Sequence, residues 1–591
     1  MGQVMQKIKK LNVESRILVI IMTLSLAGLL YYGNLKEGYH VDEVYSYGLA
    51  NSEYLPFMHF GESGYDVKDW MLDYGAGESV FQLIRNLIND YKILQECDFD
   101  LYNSVIYRDY LIAQANSLDT KTTTWMQGED YLYYIGISPE NTFNYASVYY
   151  NQRGDVHPPF FYMVLHTVCS IFQGSFSKWY GLAVNITFMM LTLLVLYRMC
   201  RRYLGGAVPA LCVAAVYGLS CGFVATAIFI RMYAIMTFMV VESCYLHLQL
   251  AEKRFQPDKR LLGKLALVTF LGFYTHYYFV IYAICIALVA CVWMLCQKNF
   301  GNLLRYILTM AGTGVLGVCI WPFAFRHVFG GYRGVGAIKT SLSGGDYWIK
   351  ARVLFGLVWD QVIGGQWWII VLSVVFFAVV VLLWKRKEAS YGKMMMVGLP
   401  ALLYVAAVSQ MVPFYTDRYV MCTYPFWCIA AVGCFYHGIR ILWEKMQAPE
   451  TVKGVPLRTM VVAAFALVLV LFSNCYMRTP LYLYTGGQET VWVPENTDCV
   501  YVLPDGDWNE SATDSTILAQ CRKVGVVYES NLAALQEDYS YHDGDYLLVC
   551  IQLGLDEETV LEKVHETLGT GELKEVSRTE GTTAVRILFT K

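Results

Sequence analysis

Long apolar blocks recur along most of the chain and constrain its fold more than any other feature. Of its residues, 56% are hydrophobic and only 16% are charged. The apolar residues fall in stretches close to the ~20 residues that cross a bilayer as a helix. Eleven spanning helices are predicted, near 17–35, 177–197, 206–228, 231–251, 261–275, 277–296, 303–325, 366–384, 394–412, 418–442 and 457–475. The predicted fold class is a polytopic α-helical membrane protein.

Clusters of Lys and Arg predict how these helices are oriented. Such clusters concentrate in cytoplasmic loops. Here they occur in six places that can all face the cytoplasm, near 7–10, 198–202, 253–260, 298–305, 385–387 and 445–458. The N-terminus is then predicted to be cytoplasmic and the C-terminus extracytoplasmic. Segments 157–172 and 346–364 are too short or too charged to cross, so we expect interfacial helices there.

Two long polar regions lie on the predicted outer side. The first is the loop 36–156, in which residues 70–94 have helical periodicity. The second is the tail 476–591, where short β-like runs alternate with helical stretches 515–522 and 557–567. Those runs are 500–503, 524–528, 546–551 and 584–589. We therefore predict a membrane domain over 1–475, which includes the loop, and a small extracytoplasmic α/β domain over 476–591.

Two adjacent carboxylates, Asp42 and Glu43, follow the first apolar helix in the stretch Gly38–Tyr47. They are predicted to lie where a membrane helix meets water. A carboxylate is costly near hydrocarbon, so this position is a site hypothesis by default. The alternative is an acidic collar on an outer loop.

Other polar side chains gather on the same predicted side, and each has a structural alternative. Asp155 and His157 precede the first interfacial helix, where Asp155 could act as a helix cap and His157 could have no function. His276 lies in a hairpin and could bind a backbone carbonyl. Arg231 and Arg418 could extend to lipid headgroups. Together they match a phosphate chemistry: Arg and His stabilise a phosphate leaving group, and a carboxylate takes a proton from an attacking hydroxyl.

Five motifs stand in order along residues 15–440: HVDEVY at 40–45, GDVHPPFFY at 154–162, RMYA at 231–234, YTHYY at 274–278 and DRY at 417–419. Together they resemble the polyprenyl-phosphate-sugar-dependent membrane glycosyltransferases of the GT-C superfold, in particular bacterial relatives of protein O-mannosyltransferases and aminoarabinose transferases. This resemblance implies a lipid-phosphate sugar donor, inverting transfer and an active site at the outer face. It also implies that Asp42 is the catalytic base. The tail carries no motif of that family.

On this hypothesis the chain moves a monosaccharide from a polyprenyl-phosphate donor to an envelope acceptor. Asp42 is the base, and Glu43 orients it or helps to bind the acceptor or a cation. Asp155 and His157 shape the mouth of the site. The other predicted substrate-binding side chains are Arg231, Tyr233, His276, Tyr277 and Arg418. Of these, Arg231, His276 and Arg418 are the candidates for binding the donor phosphate. Paired carboxylates suit Mg²⁺ or Mn²⁺, although the sequence does not require a metal.

Two other classes of function stay open from the sequence. A transporter or flippase for lipid-linked glycans would place polar residues near the bilayer midplane, whereas these lie at helix ends. A non-catalytic protein could bind a lipid-linked glycan or a partner through its tail. No basic run or nucleic-acid motif occurs, so nucleic acid is not an expected partner. The sequence does not name the sugar, the acceptor or the oligomeric state.

Overall fold

The computed structural model of the chain describes residues 12–590, except 54, 57–123, 257, 331, 344–345, 384–389, 448, 450, 453–454, 473–478, 485–492, 506–509, 541, 543 and 578–584. The chain forms two compact units. The first, which we call the membrane unit, comprises Met1–Leu35, Leu182–Ile320 and Ala337–Leu481. The second, the sheet unit, comprises Lys36–Gly181, Trp321–Gly336 and Tyr482–Lys591. The predicted helix at 70–94 lies outside the described residues.

Most of the described chain is helical. The helices of eight or more residues are, in chain order, α1 (Val13–Leu35), α2 (Val41–Asn51), α3 (Gly128–Ile135), α4 (Tyr145–Gly154), α5 (Phe160–Ile171), α6 (Lys178–Tyr203), α7 (Ala207–Gly218), α8 (Cys221–Ile228), α9 (Tyr233–Glu252), α10 (Lys259–Thr275), α11 (Tyr277–Cys296), α12 (Phe300–Ile320), α13 (Tyr332–Ser343), α14 (Tyr347–Ile363), α15 (Trp367–Leu383), α16 (Ser390–Met411), α17 (Tyr424–Lys445), α18 (Leu457–Val470) and α19 (Glu557–Leu568).

The membrane unit confirms the predicted class of polytopic helical membrane protein. Among the described residues, seven helices are long and apolar enough to cross a membrane, or up to nine if each bent pair counts as one span. The seven are α1, α6, α9, α11, α12, α16 and α17. Two predicted spans, 261–275 and 457–475, are the shorter helices α10, with 17 residues, and α18, with 14. The count of eleven stays a prediction.

Two pairs of helices in the membrane unit are sharply bent. Helices α7 and α8 meet at 54°, where the Ser220 side chain accepts a bond from the Phe223 N–H and so starts the second helix. Helices α14 and α15 meet at 94°. Gly364 and Gly365 lie between them with φ of 63° and 73°, a conformation that glycine adopts without steric cost. Helix α14, in the segment predicted to be interfacial, therefore lies nearly perpendicular to α15.

The sheet unit contains six strands: β1 (Thr124–Gln127), β2 (Thr497–Leu503), β3 (Lys523–Tyr528), β4 (Tyr546–Ile551), β5 (Leu573–Ser577) and β6 (Val585–Thr590). Their order is β1-β3-β2-β4-β6-β5. The central strand β2 is parallel to β3 and β4, and the other pairs are antiparallel. Every residue of β2 is buried, as expected for a strand covered on both faces.

The predicted α/β character of the tail is confirmed. Four strands and α19 occur where the sequence pattern places them. Val560, Val564 and Leu568 of α19 pack on one face of the sheet with Val500 and Val502. One edge strand, β1, comes instead from the loop 36–156: Thr124 pairs with Val526. The loop strand and the tail thus belong to one compact unit, whereas the predicted domains place the loop with the membrane helices. The predicted domain boundary at 475/476 stays a prediction.

Helix α2, which carries the acidic pair, is anchored by polar contacts within the sheet unit. Its C-terminal carbonyls accept bonds from buried side chains: Ala50 from His166, at 2.7 Å, and Leu49 from Asn151, at 3.3 Å. Gly48 allows close packing, because a Cβ there would lie 2.2 Å from the Tyr134 ring. The helix is therefore held firmly although it has only 11 residues.

Candidate active site

The first candidate group lies at the start of α2 and consists of Lys36, His40, Asp42 and Glu43, which we call the acidic set. His40 caps the helix: its Nδ1 accepts the Asp42 N–H at 3.1 Å. The Glu43 carboxylate in return accepts the His40 N–H at 2.7 Å. This reciprocal pair is a capping box, and both bonds satisfy N–H groups that a helix start leaves without intrahelical partners. The local sequence thus fixes the backbone at the start of α2 and the direction of the Glu43 carboxylate.

The two neighbouring carboxylates have different surroundings. The Glu43 side chain has no exposed surface and pairs with the equally buried Lys36 ammonium at 3.0 Å. The Asp42 side chain is 20% exposed, and its carboxylate lies 3.7 Å from the His40 Nδ1. Because that nitrogen accepts the Asp42 N–H, it has no proton to donate to the carboxylate in this tautomer. Because the Asp42 side chain is partly exposed and the Glu43 side chain is not, Asp42 is the member of the pair that an incoming hydroxyl could reach.

The structure does not bring Asp42 and Glu43 together as a cation site. The Glu43 carboxylate is engaged by Lys36 and by the His40 N–H, and the described part of the chain has no group of three or more His, Cys, Asp or Glu side chains arranged to hold a metal ion. Mg²⁺ or Mn²⁺ needs several oxygen ligands. The divalent cation stays a prediction, and no chemical step below depends on it.

Asp155 and His157 also lie in the sheet unit and form a close pair. His157 Nδ1 and Asp155 Oδ2 are 2.8 Å apart, with 20% and 12% of the side chains exposed. Asp155 does not cap the next helix, because α5 begins after Pro159 without a side-chain cap. A carboxylate that binds one imidazole nitrogen orients the ring and sets which nitrogen carries the proton. The pair therefore has the geometry of an oriented histidine.

A buried histidine packs close to this pair. His327 lies against Trp321, with ring centroids 5.8 Å apart, and its Nε2 is 3.3 Å from the Arg153 carbonyl oxygen. Burial lowers the pKa of His327 to about 3, because the charged imidazolium loses hydration there. His327 is thus neutral near pH 7 and adds no positive charge beside His157.

The second candidate group lies in the membrane unit, where rings connect residues from three places in the sequence. Tyr233 starts α9, and its ring lies 5.5 Å from His276, which joins α10 to α11. His276 lies 5.0 Å from Tyr278, and Tyr278 lies 5.4 Å from Tyr419 (centroid distances). The three motifs RMYA, YTHYY and DRY therefore meet in one aromatic cluster.

Two arginines stand within two residues of cluster members in the sequence, and we call the whole the aromatic–basic set. The Arg418 guanidinium lies over the Tyr419 ring, 5.4 Å from its centroid. Arg231, two residues before Tyr233, is buried with 4% of its surface exposed. The structural alternative for His276 was a bond to a backbone carbonyl. Its Nδ1 makes no such bond, because that atom accepts the Tyr278 N–H at 3.0 Å. Tyr277, also predicted here, packs against Phe273, with centroids 6.0 Å apart.

The sequence analysis missed two residues, one a member of the acidic set and the other in contact with it. Lys36 follows the first apolar helix, where a lysine is expected to extend its charge toward water, yet it is fully buried. Tyr482 comes from the tail, and its ring lies 5.9 Å from His40. No sequence signal identified either one, because their roles arise from a contact across 446 residues.

Comparisons with known proteins give structural matches only. No protein-family model matches the chain, and neither does any curated protein. Among solved structures, ArnT from Cupriavidus metallidurans in the apo state has 14% identity and a TM-score of 0.43, covering 82% of this chain and 97% of that one. The same ArnT bound to undecaprenyl phosphate has 13% identity, a TM-score of 0.41 and the same coverages, 82% and 97%.

A third solved structure is an archaeal oligosaccharyltransferase, AglB from Archaeoglobus fulgidus, in complex with an inhibitory peptide and a dolichol-phosphate. It has 10% identity and a TM-score of 0.39, and the match covers 67% of this chain and 61% of that one. TM-scores of 0.43 and below do not assign a donor, an acceptor or a mechanism to this chain.

Proposed function

We propose that this protein is an inverting membrane glycosyltransferase that moves one monosaccharide from a polyprenyl-phosphate donor to an envelope acceptor. The observation that carries the proposal is the unequal placement of the two adjacent carboxylates. Asp42 is partly exposed at a rigidly capped helix start, whereas Glu43 is buried against Lys36. One accessible carboxylate on a fixed backbone is what a general base requires.

In the proposed reaction, Asp42 takes the proton of the acceptor hydroxyl as the oxygen attacks the anomeric carbon. A new glycosidic bond forms with inversion, and the sugar–phosphate bond breaks. The polyprenyl phosphate leaves with an additional negative charge. Arg231, His276 and Arg418 of the aromatic–basic set suit this leaving group, because charged donors bind phosphate oxygens strongly. His157, oriented by Asp155, is a further donor to the phosphate or the acceptor.

Loss of the protein tests this function directly. Cells without it should accumulate a polyprenyl-phosphate monosaccharide, and one class of envelope glycan should lack that sugar. Mass spectrometry of lipid extracts and of envelope glycans would measure both. A plasmid copy of the wild-type gene should restore both. Unchanged lipid sugars and glycans, in cells shown to make the protein under the same conditions, would contradict the proposal.

We also propose that loop 36–156 and tail 476–591 both face the outside, on the basis of the Lys and Arg clusters. A membrane-impermeant thiol reagent should label Glu140→Cys and Glu562→Cys in intact cells, and should label Lys253→Cys only after lysis. All three positions are exposed in the structure. The background should lack Cys97 and Cys475 as well as Cys296 and Cys319, which are the exposed cysteines among the described residues. Labelling of Glu562→Cys only after lysis would place the tail in the cytoplasm and contradict the orientation.

A further inference from the structure

The start of α2 is held by a segment from the far end of the sequence. The Lys36 ammonium donates to the Tyr482 carbonyl at 2.8 Å, in addition to its pairing with Glu43. The Glu37 N–H donates to the Leu483 carbonyl at 2.9 Å. We call residues 482–484 the tail clamp. All of these contacts lie within the sheet unit.

The backbone of the tail clamp is strained where it meets Lys36. Tyr482 has φ of 67°, in the left-handed region that side chains other than glycine, Asn and Asp rarely adopt. Such conformations persist only where the surrounding contacts enforce them. Here the Lys36 ammonium binds the Tyr482 carbonyl, and the Tyr482 ring packs against His40. The strain is thus located at the contact with the acidic set.

One carboxylate oxygen connects the tail clamp to the candidate base. Glu43 Oε2 accepts both the Lys36 ammonium and the His40 N–H, at 3.0 and 2.7 Å. His40 in turn caps Asp42. A buried ion pair is weak evidence for a contribution to stability, because desolvation offsets the attraction. The buried pair nevertheless fixes the geometry of both side chains, because moving either one would leave a buried charge without its partner.

We propose that Lys36 and Tyr482 are positioning residues for Asp42, and that the tail clamp sets the orientation of the candidate base. This inference rests on the proposed function, in which Asp42 accepts the proton. A misplacement of about 1 Å can lower a catalytic rate by roughly a hundredfold. The tail, which carries none of the five motifs, is thereby part of the catalytic apparatus.

A matched pair of substitutions at Tyr482 tests the role of its backbone. Tyr482→Asn and Tyr482→Val both remove the ring from His40, but only Val strongly disfavours a positive φ. The same two changes at Leu553, an exposed turn residue of the sheet unit that lies outside the clamp and has no positive φ, serve as controls. Hydrogen exchange over residues 37–45 of the full-length protein reports the order of the helix start without any ligand. Turnover is followed with radiolabelled lipid extract from cells that lack the protein.

In the Tyr482→Val variant, we expect the backbone amides of residues 37–45 to exchange hydrogen at least tenfold faster than in the wild type. Its turnover at saturating extract should be about ten- to a hundredfold slower. The amount of extract that gives half-maximal rate should change less than threefold, because Lys36 and Tyr482 contact the start of α2 and are not among the residues proposed to bind the donor. Tyr482→Asn should lose less than threefold in turnover. Both Leu553 variants should behave alike.

If the two Tyr482 variants had equal hydrogen exchange and equal turnover, the proposal that the tail clamp orients Asp42 would be overturned. If Tyr482→Val does not fold, the double variant Lys36→Met/Glu43→Gln replaces it, since removing both buried charges leaves neither unpaired. We expect this variant to fold and to turn over slowly, and wild-type turnover would overturn the proposal. Near-normal transfer by Asp42→Asn would refute the assignment of Asp42 as the base. The hydrogen-exchange comparison would still test whether the tail clamp orders the start of α2.

Discussion

Replacing Asp42 with Asn is expected to lower sugar transfer by about two to four decades, the usual contribution of a positioned general base. Asn keeps the size of the side chain and loses the negative charge that accepts the proton. The cap should stay intact, because His40 binds the backbone N–H of residue 42 and not its side chain. The variant should therefore insert and fold normally. Transfer from a lipid donor to envelope acceptor would be measured in membranes that contain equal amounts of each protein.

The neighbouring carboxylate supplies a matched control. Glu43→Gln keeps an oxygen that can accept the His40 N–H. It leaves the buried Lys36 ammonium without a carboxylate, so the folding of this variant is measured in the same preparation. We expect a milder loss than for Asp42→Asn. Donor that remains bound to Asp42→Asn after purification would separate binding from chemistry. If only Glu43→Gln were inactive, the two roles would be exchanged. If neither change mattered, a transporter or a non-catalytic binding protein would explain the chain better.

The second large effect is expected at Arg418. Loss of one charged donor to a developing phosphate charge commonly costs roughly two to three decades in rate. The Arg418 guanidinium lies over Tyr419 at the border of the aromatic–basic set, so Arg418→Ala should lower turnover far more than it lowers expression. The measurement is turnover and donor binding in purified, folded protein. Arg231→Ala and His276→Ala test the other two donors separately.

A second arginine of the membrane unit gives the control for this test. Arg440 lies in α17 and faces Glu444 one helical turn away, 3.9 Å from its carboxylate. Arg440→Ala removes the same charge from the protein without touching the aromatic–basic set. We expect its turnover to stay near that of the wild type. Equal losses for Arg418→Ala and Arg440→Ala would assign the effect to net charge or folding. Unchanged turnover and donor affinity in Arg418→Ala would remove Arg418 from the site.

Local patterns predicted much of the architecture. Apolar blocks of span length correspond to α1, α6, α9, α11 and others, because a helix buried in lipid needs little more than length and hydropathy. The tail strands were predictable for a similar reason, since β2, β3 and β4 are continuous apolar runs of five to seven residues between turns. Broken and short helices were harder, because hydropathy reports composition and not the 54° bend between α7 and α8.

Contacts between distant segments were not predictable. Strand β1 looks like part of a loop, and only its pairing with β3 makes it a sheet edge. Lys36 follows an apolar helix as many exposed lysines do, and its burial depends on Glu43 and on a carbonyl from the tail. The motif residues themselves were predictable by resemblance. The split between an accessible Asp42 and a buried Glu43 required side-chain positions.

The connection between Lys36 and Tyr482 has a consequence for biosynthesis. Their contact joins residues 446 positions apart, and at ~5–20 residues per second the second partner is made roughly 20 to 90 seconds after the first. Contacts of such long range also form slowly, since loop closure costs entropy before they are rewarded. The candidate base would therefore stay unaligned until residue 482 has been synthesised. Nascent chains that stall in the membrane helices would insert without acquiring activity.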